Sequence, residues 1–572
     1  MKACLSATAP FLLTVCRWSR RHCGLRLAAA VLLAGTVAPH APAATFSGNL
    51  GGELGNSSSI GAGGDYPSLT AAASDFNAFT GGMRGPYTFL IAGDLTEPAN
   101  VAWGNATNGH TLTIRPAPGV LATITFTGTA PNSGPAGHWV IGSDTISAFA
   151  LQPITGLTID GSDVPGGTNR NLTIQNATGA IDDSALLHVV GASTGVMLRN
   201  LHLRNQSTST STATYGVLAT GRWPAGFPDA LTLDHCRIEV SSAALGYAIG
   251  TTSGTSIPSG EALQNLNVAN CDLTASASAV WLRRTGSFRL HRNTLAVQQV
   301  QPGSIIRAVH HASDNDAAGT AEITANIVRL LRVMHSVDGG GAIGFDLQGG
   351  LGTGAPATLT LHNNSIAAFD FPAMPAADHF CGGIRIGGRN ITAEVHHQSI
   401  CIGPQAGVTG ATDGRVFGLQ CQRDLDSEAT IDVANNAIVV HASPATGIVL
   451  PAGSGGISSR GNNLWVAPGS TTGRRGAAVA ATFGQWQAWG YDSGGTGGQS
   501  LDLLNTSPSQ WNSHNDLTWV GSGRPLGVRS PASLTVSEDA TGSPRILNET
   551  YPGAFDHPAA PLPVEVILLD LR

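Results

Sequence analysis

A short motif recurs through the middle of the chain and constrains the fold more than any other feature. It reads apolar-x-apolar-x-x-Asn/Cys-x-apolar, as in LTLDHCRI (231–238), LNVANCDL (266–273), FRLHRNTL (288–295), LTLHNNSI (359–366) and IDVANNAI (431–438). The Asn/Cys position recurs at gaps of 22 to 38 residues, at Cys236, Cys271, Asn293, Asn326, Asn364, Gln398, Asn436 and Asn463. Constant strands joined by loops of variable length are typical of a solenoid, because insertions are tolerated where the chain leaves the stack.

Each motif alternates apolar and polar residues, which predicts strands with one face inward. The inward positions predict a core stripe of Leu233, Val268, Leu290, Leu361 and Val433. We expect a sharp bend at the Asn/Cys position, because Asn tolerates left-handed backbone angles and can bond its counterpart one coil above.

A second strand precedes each motif, as in YGVLATG (215–221), GAIGFDL (341–347) and GGIRIGG (382–388). Two or three short strands per coil, with Gly-rich turns and no helical period, predict an all-β fold, a right-handed parallel β-helix solenoid of about nine to eleven coils. A propeller or a sandwich is the alternative. Both need antiparallel hairpins with two-residue turns, which this sequence lacks.

The first 43 residues have the pattern of an export signal. Arginines at positions 17, 20, 21 and 26 precede an apolar run over 27–38, and Ala41-Pro42-Ala43 fits a cleavage site. The apolar run is shorter than the roughly 20 residues that span a bilayer. We therefore expect an exported bacterial protein, extracellular, at the cell surface or in the periplasm, without a transmembrane segment. The predicted divisions are a signal peptide (1–43), a cap with the first strands (44–110), the β-helix (111–480) and a closing segment (481–572).

Composition excludes several classes of function. The net charge of −7 leaves no basic footprint for nucleic acid. Lys2 is the only lysine and lies in the signal, which excludes a lysine base or Schiff base in the mature chain. Five cysteines remain after cleavage, with no C-x-x-C zinc pattern. Cys236 and Cys271 occupy equivalent positions in adjacent coils, where they either form a disulfide or stack as small buried residues.

Three further segments resemble a known group of proteins. GAGGDYPSLTAAASDFNA (61–78) resembles the opening of bacterial pectate-lyase-like β-helix proteins, in which a short helix caps the first coil. FGQWQAWGYDSGG (483–495) and SPASLTVSEDATGSPRILNETYPGAFD (530–556) resemble closing segments of the same group. The resemblance covers most of residues 45–556. It implies an N-terminal cap, a parallel β-helix and an irregular C-terminal segment, and it implies architecture rather than an activity.

The strands that precede the motifs supply the candidate binding residues. Their alignment predicts an outward ladder of Leu218, Gly250, Trp281, Arg307, Gly344 and Arg385, with Arg283 and Asp346 one step along. Guanidinium groups bind carboxylates bidentately and an indole stacks on a sugar ring. We therefore predict that Trp281, Arg283, Arg307, Asp346 and Arg385 contact an acidic polysaccharide. The alternative is an ordinary solvated face, because a slip of one residue reverses every assignment.

Other polar clusters give weaker signals. Asp314 and Asp316 resemble an oxygen-rich calcium site, although such clusters are also ordinary turn chemistry. No other cofactor is evident. Asp182-Asp183 resembles the paired acids of β-helix glycoside hydrolases. Neighbouring histidines at 310–311 and at 396–397 face opposite sides of their strands, so neither pair is expected to share a metal.

Three functional hypotheses follow. The first is an exported β-helix that binds extracellular or cell-surface polysaccharide. The second is a polysaccharide lyase or glycoside hydrolase acting on acidic glycans, and the third is a non-catalytic adhesin or structural rod. A catalytic centre requires titratable groups on neighbouring coils, and no such set is complete in the sequence, which favours binding without cleavage. The sequence gives no indication of the oligomeric state.

Overall fold

A computed structural model describes residues 56–79, 81–127, 137–142, 152–176, 185–208, 213–221, 226–252, 261–312, 319–334, 340–349, 357–367, 369–371, 379–388, 390–402, 415–422, 429–453 and 456–492, and short pieces at 496–497, 502–503, 519–520, 536, 538–541, 543 and 545. The chain divides into two units, Met1–Thr45 and Phe46–Arg572. Every described residue belongs to the second unit, so the export signal predicted for 1–43 lies outside the described residues.

Successive strands enter three parallel sheets in turn, and this order repeats through twelve complete coils between Tyr87 and Arg475. The predicted right-handed parallel β-helix is confirmed. The coils are more numerous than the nine to eleven expected, because they begin at Tyr87, before the boundary predicted at residue 111. Among the described residues, no helix is long and apolar enough to cross a membrane.

Sheet A contains thirteen strands. They are β1 (Ser57–Ile60), β2 (Tyr87–Ile91), β5 (Leu112–Pro116), β8 (Leu157–Asp160), β11 (Met197–Arg199), β14 (Thr232–Asp234), β17 (Leu266–Ala269), β20 (Phe288–His291), β23 (Gly319–Thr324), β26 (Ala357–His362), β30 (Ile391–His396), β33 (Thr430–Ala434) and β36 (Ile457–Arg460).

Sheet B follows sheet A along every coil. It consists of β3 (Leu95–Glu97), β6 (Ala122–Phe126), β9 (Leu172–Asn176), β12 (Leu201–Ser207), β15 (Arg237–Ser242), β18 (Asp272–Ala275), β21 (Thr294–Gln298), β24 (Ile327–Arg332), β27 (Ser365–Ile366), β28 (Phe369–Asp370), β31 (Ser399–Ile402), β34 (Ala437–Val440), β37 (Asn463–Val466) and β40 (Thr496–Gly497).

Sheet C completes each coil and carries the candidate site. It consists of β4 (Val101–Trp103), β7 (Gly137–Gly142), β10 (Ala185–Val190), β13 (Ala213–Thr220), β16 (Leu245–Thr252), β19 (Ser278–Leu282), β22 (Ile305–His311), β25 (Gly341–Gly349), β29 (Phe380–Gly388), β32 (Val416–Cys421), β35 (Thr446–Leu450), β38 (Thr471–Arg475) and the antiparallel β39 (Ala478–Ala480). A separate antiparallel pair is formed by β41 (Asp502–Leu503) and β42 (Trp519–Val520).

The predicted core stripe is confirmed. In sheet A, Leu233 pairs with Val268 and Val268 pairs with Leu290, and Leu361 and Val433 are also at most 1% exposed. The period-two alternation therefore identifies the inward face correctly, because each coil must bury its apolar side against the neighbouring coils.

The bend between sheets A and B differs in detail from the prediction. The left-handed residue is the one before the Asn/Cys position, with φ between +52° and +58° at His235, Asn270, Arg292, Ala325, Asn363, His397 and Asn435. The Asn/Cys residue itself points inward and forms a hydrogen-bonded ladder, in which Asn293 Nδ2 donates to Asn326 Oδ1 at 3.0 Å. Asn462 rather than Asn463 occupies the last position, and its Nδ2 donates to Asp492 at 2.6 Å.

A helix closes each end of the coil stack. α1 (Leu69–Ala78) begins at the N-cap Ser68, and Glu97 accepts from the backbone N–H groups of Leu69 and Thr70. This confirms the cap that the resemblance implied. α2 (Phe483–Ala488) buries Trp486, whose indole N–H donates to Asp492 at 2.7 Å, so the Asn ladder ends on a carboxylate acceptor.

The five cysteines from Cys236 onward are buried, and none of them forms a disulfide within the described part of the chain. Cys236 and Cys271 stack at the start of the Asn ladder, where the Cys236 N–H donates to the Cys271 sulfur at 3.4 Å. The disulfide alternative is therefore wrong for this pair, and the stacked alternative is correct.

Candidate functional site

One outward ladder of sheet C brings the candidate residues together, and we call its surface the sheet C face. Strand register aligns Leu218, Gly250, Trp281, His310, Asp346, Arg385 and Gln420. Leu218, Gly250, Trp281 and Arg385 were predicted here, whereas Arg307 and Gly344 were wrongly placed in the ladder. Arg307 instead pairs with Ser278 and Ile343.

The register error has a local cause. Ala308 and Val309 are both buried, so strict alternation breaks within β22. Ile306 as the inward reference makes Arg307 the outward residue, whereas Val309 is the residue that pairs with Val280 and makes His310 the outward one. The repeated triplets VWL (280–282), VHH (309–311), FDL (345–347) and IRI (384–386) carry the correct register and place His310 in the ladder.

Three aromatic rings stack across successive coils at one end of the sheet C face. The ring centroids of Tyr215 and Tyr247 lie 5.3 Å apart, and those of Tyr247 and Trp281 lie 4.9 Å apart, each pair at 21°. The guanidinium of Arg283 lies 5.6 Å from the Trp281 ring. Tyr247 stacks on the indole and the Arg283 guanidinium lies over the same ring, so contact of a sugar with Trp281 is expected mainly at the ring edge.

A buried carboxylate organises the next part of the face. Arg385 bonds both oxygens of Asp346, from Nε at 2.8 Å and from Nη2 at 2.5 Å. Arg307 donates from Nε to the same carboxylate at 2.6 Å and from Nη1 to the Ile305 carbonyl at 2.8 Å. The side chain of Asp346 is 0% exposed. It therefore reaches a ligand only through the arginines, which corrects its prediction as a contact residue.

The electrostatics of this cluster fix its protonation. Burial raises the pKa of Asp346, but the hydrogen bond and charge of Arg385 and the charge of Arg307 outweigh burial and leave the pKa below its usual range. Burial and the charge of Arg307 lower the pKa of His310 to about 3. At neutral pH the cluster thus contains an ionised Asp346 and a neutral imidazole, whose Nε2 lies 4.0 Å from the Asp346 carboxylate.

The sheet C face continues into a cleft near the C-terminal end of the stack. Gln420, Val449 and Arg474 follow Arg385 in the same outward register. They line a cleft of about 750 Å³ together with Gln422, Pro451 and Ala477. The aromatic stack, the arginine cluster and the cleft therefore belong to one surface that crosses many coils.

The clusters considered for metal binding or hydrolysis have different outcomes. Asp314, Asp316 and Asp182-Asp183 lie outside the described residues, so the calcium site and the paired acids stay predictions. Within the described part of the chain, His362, Glu394 and His396 place ligand atoms within 4.8 Å of one another on sheet A. Its histidines occupy the same motif position in LHNNSI and VHHQSI, so the group is found by superposing repeats and not by inspecting histidines that are neighbours in sequence.

Comparisons with known proteins concern the fold alone. No protein family matches the chain, and no curated protein is similar to it in sequence. The catalytic unit of a GH87 α-1,3-glucanase from Streptomyces thermodiastaticus is 14% identical, with a TM-score of 0.36, over 76% of this chain and 71% of the glucanase. PfbA, a surface adhesin of Streptococcus pneumoniae, is 14% identical, with a TM-score of 0.34, over 72% of this chain and 90% of PfbA. Pectate lyase Pel9A is 9% identical, with a TM-score of 0.28, over 87% of this chain and 96% of the lyase. Similarities this low carry no information on activity.

Proposed function

We propose that this protein binds an acidic polysaccharide along the sheet C face. The observation that carries the proposal is the juxtaposition, on one outward surface, of the aromatic stack with Arg283, Arg307 and Arg385. A surface that repeats at about 4.8 Å per coil suits a polymer, because several coils contact one chain at once.

The buried carboxylate orients the arginines for this role. Asp346 uses part of the donor set of Arg307 and Arg385 and leaves their other N–H groups in fixed positions. A guanidinium held in place loses less conformational entropy when it binds a carboxylate than a mobile one does. Arg307 is 19% exposed and Arg385 is 10% exposed. Arg307 is therefore the better contact residue, and Arg385 mainly positions Asp346.

The charge of the cluster favours an acidic ligand. Two arginines share one carboxylate, so this cluster keeps a positive charge, and Arg283 adds another beside Trp281. A uronic acid polymer presents carboxylates for these cations, and its sugar rings offer apolar faces for the aromatic edges.

Binding without cleavage fits the protonation of the cluster. A general base works best when its pKa lies near the working pH, and the pKa of His310 is only about 3. Asp346 is ionised and enclosed by arginines, so it has no proton to donate as a general acid. Neither group supports the lyase or the hydrolase hypothesis.

Calorimetry with oligogalacturonate and a neutral dextran oligomer tests the proposal. The parent protein is expected to bind the acidic oligomer, with weaker binding at higher salt, and to bind the neutral one poorly. Arg283→Ala should weaken acidic binding by up to about fivefold, since an exposed charge contact contributes about 0.2–1 kcal/mol. Arg307→Ala should weaken it at least as much, because this change also removes one partner of the buried Asp346. Arg289→Ala is the matched control, because this arginine pairs with Glu322 on sheet A at 3.2 Å.

Three results would contradict this proposal. They are no binding of the acidic oligomer, equal binding of both oligomers, or an equal loss in Arg289→Ala and Arg307→Ala. An absence of binding to any glycan would leave the structural rod as the better account. Equal losses would indicate general electrostatic attraction rather than a site.

We also propose that the protein is exported, with cleavage after Ala43. The supporting observation is the order of arginines, apolar run and Ala41-Pro42-Ala43 in the sequence. Mass spectrometry of the secreted protein should give an N-terminus at Ala44 or Thr45. Secreted material that retains residues 1–43 would contradict this.

A further inference from the structure

Two histidines and a glutamate meet on the outward side of sheet A, away from the sheet C face. His362 on β26 and His396 on β30 occupy paired positions in adjacent coils, and their ring centroids lie 5.1 Å apart at 10°. Glu394 precedes His396 by two residues on the same side of β30. Its carboxylate lies 3.6 Å from His362 Nε2.

Both imidazoles keep a buried nitrogen without a hydrogen-bond partner among the described residues. These atoms are His362 Nε2 and His396 Nδ1. Buried polar atoms are nearly always paired, because an unpaired one has lost its hydration without replacement. Two such atoms in one cluster, beside a carboxylate, indicate that a ligand completes it.

A second carboxylate supports the orientation of His396. Asp432 accepts a hydrogen bond from His396 Nε2 at 3.1 Å and is itself held by Arg460 Nη2 at 2.6 Å. Histidines that bind metals commonly use one ring nitrogen for the ion and the other for a carboxylate. Asp432 therefore fixes the His396 ring with Nδ1 left for an ion.

We propose that His362, Glu394 and His396 form a site for a divalent transition-metal ion of the zinc type. Two imidazoles and one carboxylate are a ligand set that suits zinc, and three protein ligands leave one position for water. Calcium is disfavoured, because it prefers an all-oxygen shell.

The present geometry also indicates what must move when the ion binds. The two rings are nearly parallel, so their lone pairs converge only after one ring rotates. The side chain of His362 is 19% exposed and that of His396 only 2%, so His362 is the ring that rotates.

The charged groups around the site influence its affinity for the ion. Arg545 lies close enough to His362 for its positive charge to act on this imidazole. Arg545 also opposes a second cation, and Glu394 is the carboxylate that offsets it. Since Arg460 already neutralises Asp432, we expect weaker binding than at a structural zinc site.

Zinc chloride titration of the chelator-treated full chain, followed by calorimetry, tests the proposal. The parent should bind one ion per chain, and His362→Gln and His396→Gln should each weaken binding at least tenfold. His291→Gln is the matched control. It lies in the same outward register of sheet A, and its Nδ1 is within 2.8 Å of the Thr324 hydroxyl, so zinc binding should not change.

A melting experiment separates loss of the site from loss of the fold. Without zinc, His362→Gln should melt close to the parent, because this side chain is partly exposed and its Nε2 has no hydrogen-bond partner among the described residues. With zinc, the melting temperature should rise for the parent and for His291→Gln but not for His362→Gln. If His396→Gln does not fold, the comparison of zinc binding by His362→Gln and by the parent tests the proposal. The proposal is overturned if the parent does not bind zinc, or if His362→Gln binds it as tightly as the parent.

Discussion

The Arg289–Glu322 pair on sheet A and the Arg307–Asp346–Arg385 cluster on sheet C carry charge in opposite ways. On sheet A, Arg289 and Glu322 pair one to one across adjacent coils at 3.2 Å, with side chains 51% and 40% exposed. On sheet C, one carboxylate that is 0% exposed holds two arginines, and the aromatic stack adjoins it. The same solenoid thus presents a solvated ion pair on sheet A and, on sheet C, a charged cluster that is largely removed from water.

The difference shows which charges determine structure. A solvated pair contributes little, because water screens it and two long side chains lose freedom. A buried carboxylate with two guanidinium partners is costly to disrupt, because removal of one charge leaves the others without compensation. The sheet C face is therefore rigid, as a binding site requires, whereas the Arg289–Glu322 pair on sheet A can rearrange freely.

The largest predicted effect separates these two kinds of charge. Asp346→Asn should lower the free energy of unfolding by about 3–5 kcal/mol, because Arg307 and Arg385 would stay partly buried without their counter-charge. Glu322→Gln should change it by no more than about 1 kcal/mol. Urea denaturation of both variants measures the difference. Equal effects would mean that Asp346 is no more important to the fold than a surface residue.

A smaller effect concerns acid sensitivity. The pKa of His310 on sheet C is lowered from 6.5 to about 3, so the unfolded chain binds a proton there that the folded chain does not bind between these pH values. Stability should therefore fall as the pH drops from 6.5 towards 3, because only the unfolded chain takes up a proton at this group in that range. His310→Gln should flatten the dependence of stability on pH in this window.

His291 on sheet A provides the comparison for His310. Burial and the charges of Arg289 and Arg292 lower its pKa as well, but the ring is much less enclosed. His291→Gln should therefore flatten the profile less than His310→Gln does. Thermal melting from pH 7 to pH 3 gives both profiles, and the reverse order would contradict the assignment of His310 to a buried charged cluster.

The smallest predicted effect tests the geometry of Arg307 rather than its charge. Arg307→Lys keeps a cation but loses the planar fork that bonds Asp346 and that we propose to bond a ligand carboxylate. Affinity for oligogalacturonate should fall two- to fivefold, equivalent to about 1 kcal/mol or less. Arg289→Lys should leave it unchanged. Calorimetry at one ionic strength measures the affinity of both variants. If Arg307→Lys binds oligogalacturonate as tightly as the parent, only the positive charge of Arg307 matters and its geometry does not.

The fold was predictable because each coil must meet the same requirements. The alternation in LTLHNNSI identifies the buried Leu361, and the repeated Asn identifies the bend. Where two asparagines are adjacent, as at Asn462 and Asn463, the sequence does not distinguish which one belongs to the inward Asn ladder, so the predicted bend is uncertain by one residue. The bonds of the ladder itself depend on contacts between coils.

The candidate site was only partly predictable, because its register depends on breaks in alternation. In a regular strand, outward residues are two positions apart. Ala248 and Ile249 are both in the core, so the outward residues Tyr247 and Gly250 are three positions apart. The same break displaced Arg307. The zinc-type cluster joins residues from different coils, so only the correct superposition of repeats places His362 against His396.

A crystal structure of the protein with bound oligogalacturonate tests the central claim most directly. The oligomer should lie along the sheet C face between Trp281 and Gln420, with a carboxylate on the guanidinium of Arg307 or Arg283. An oligomer bound on sheet A or sheet B, with the sheet C face empty, would contradict the account.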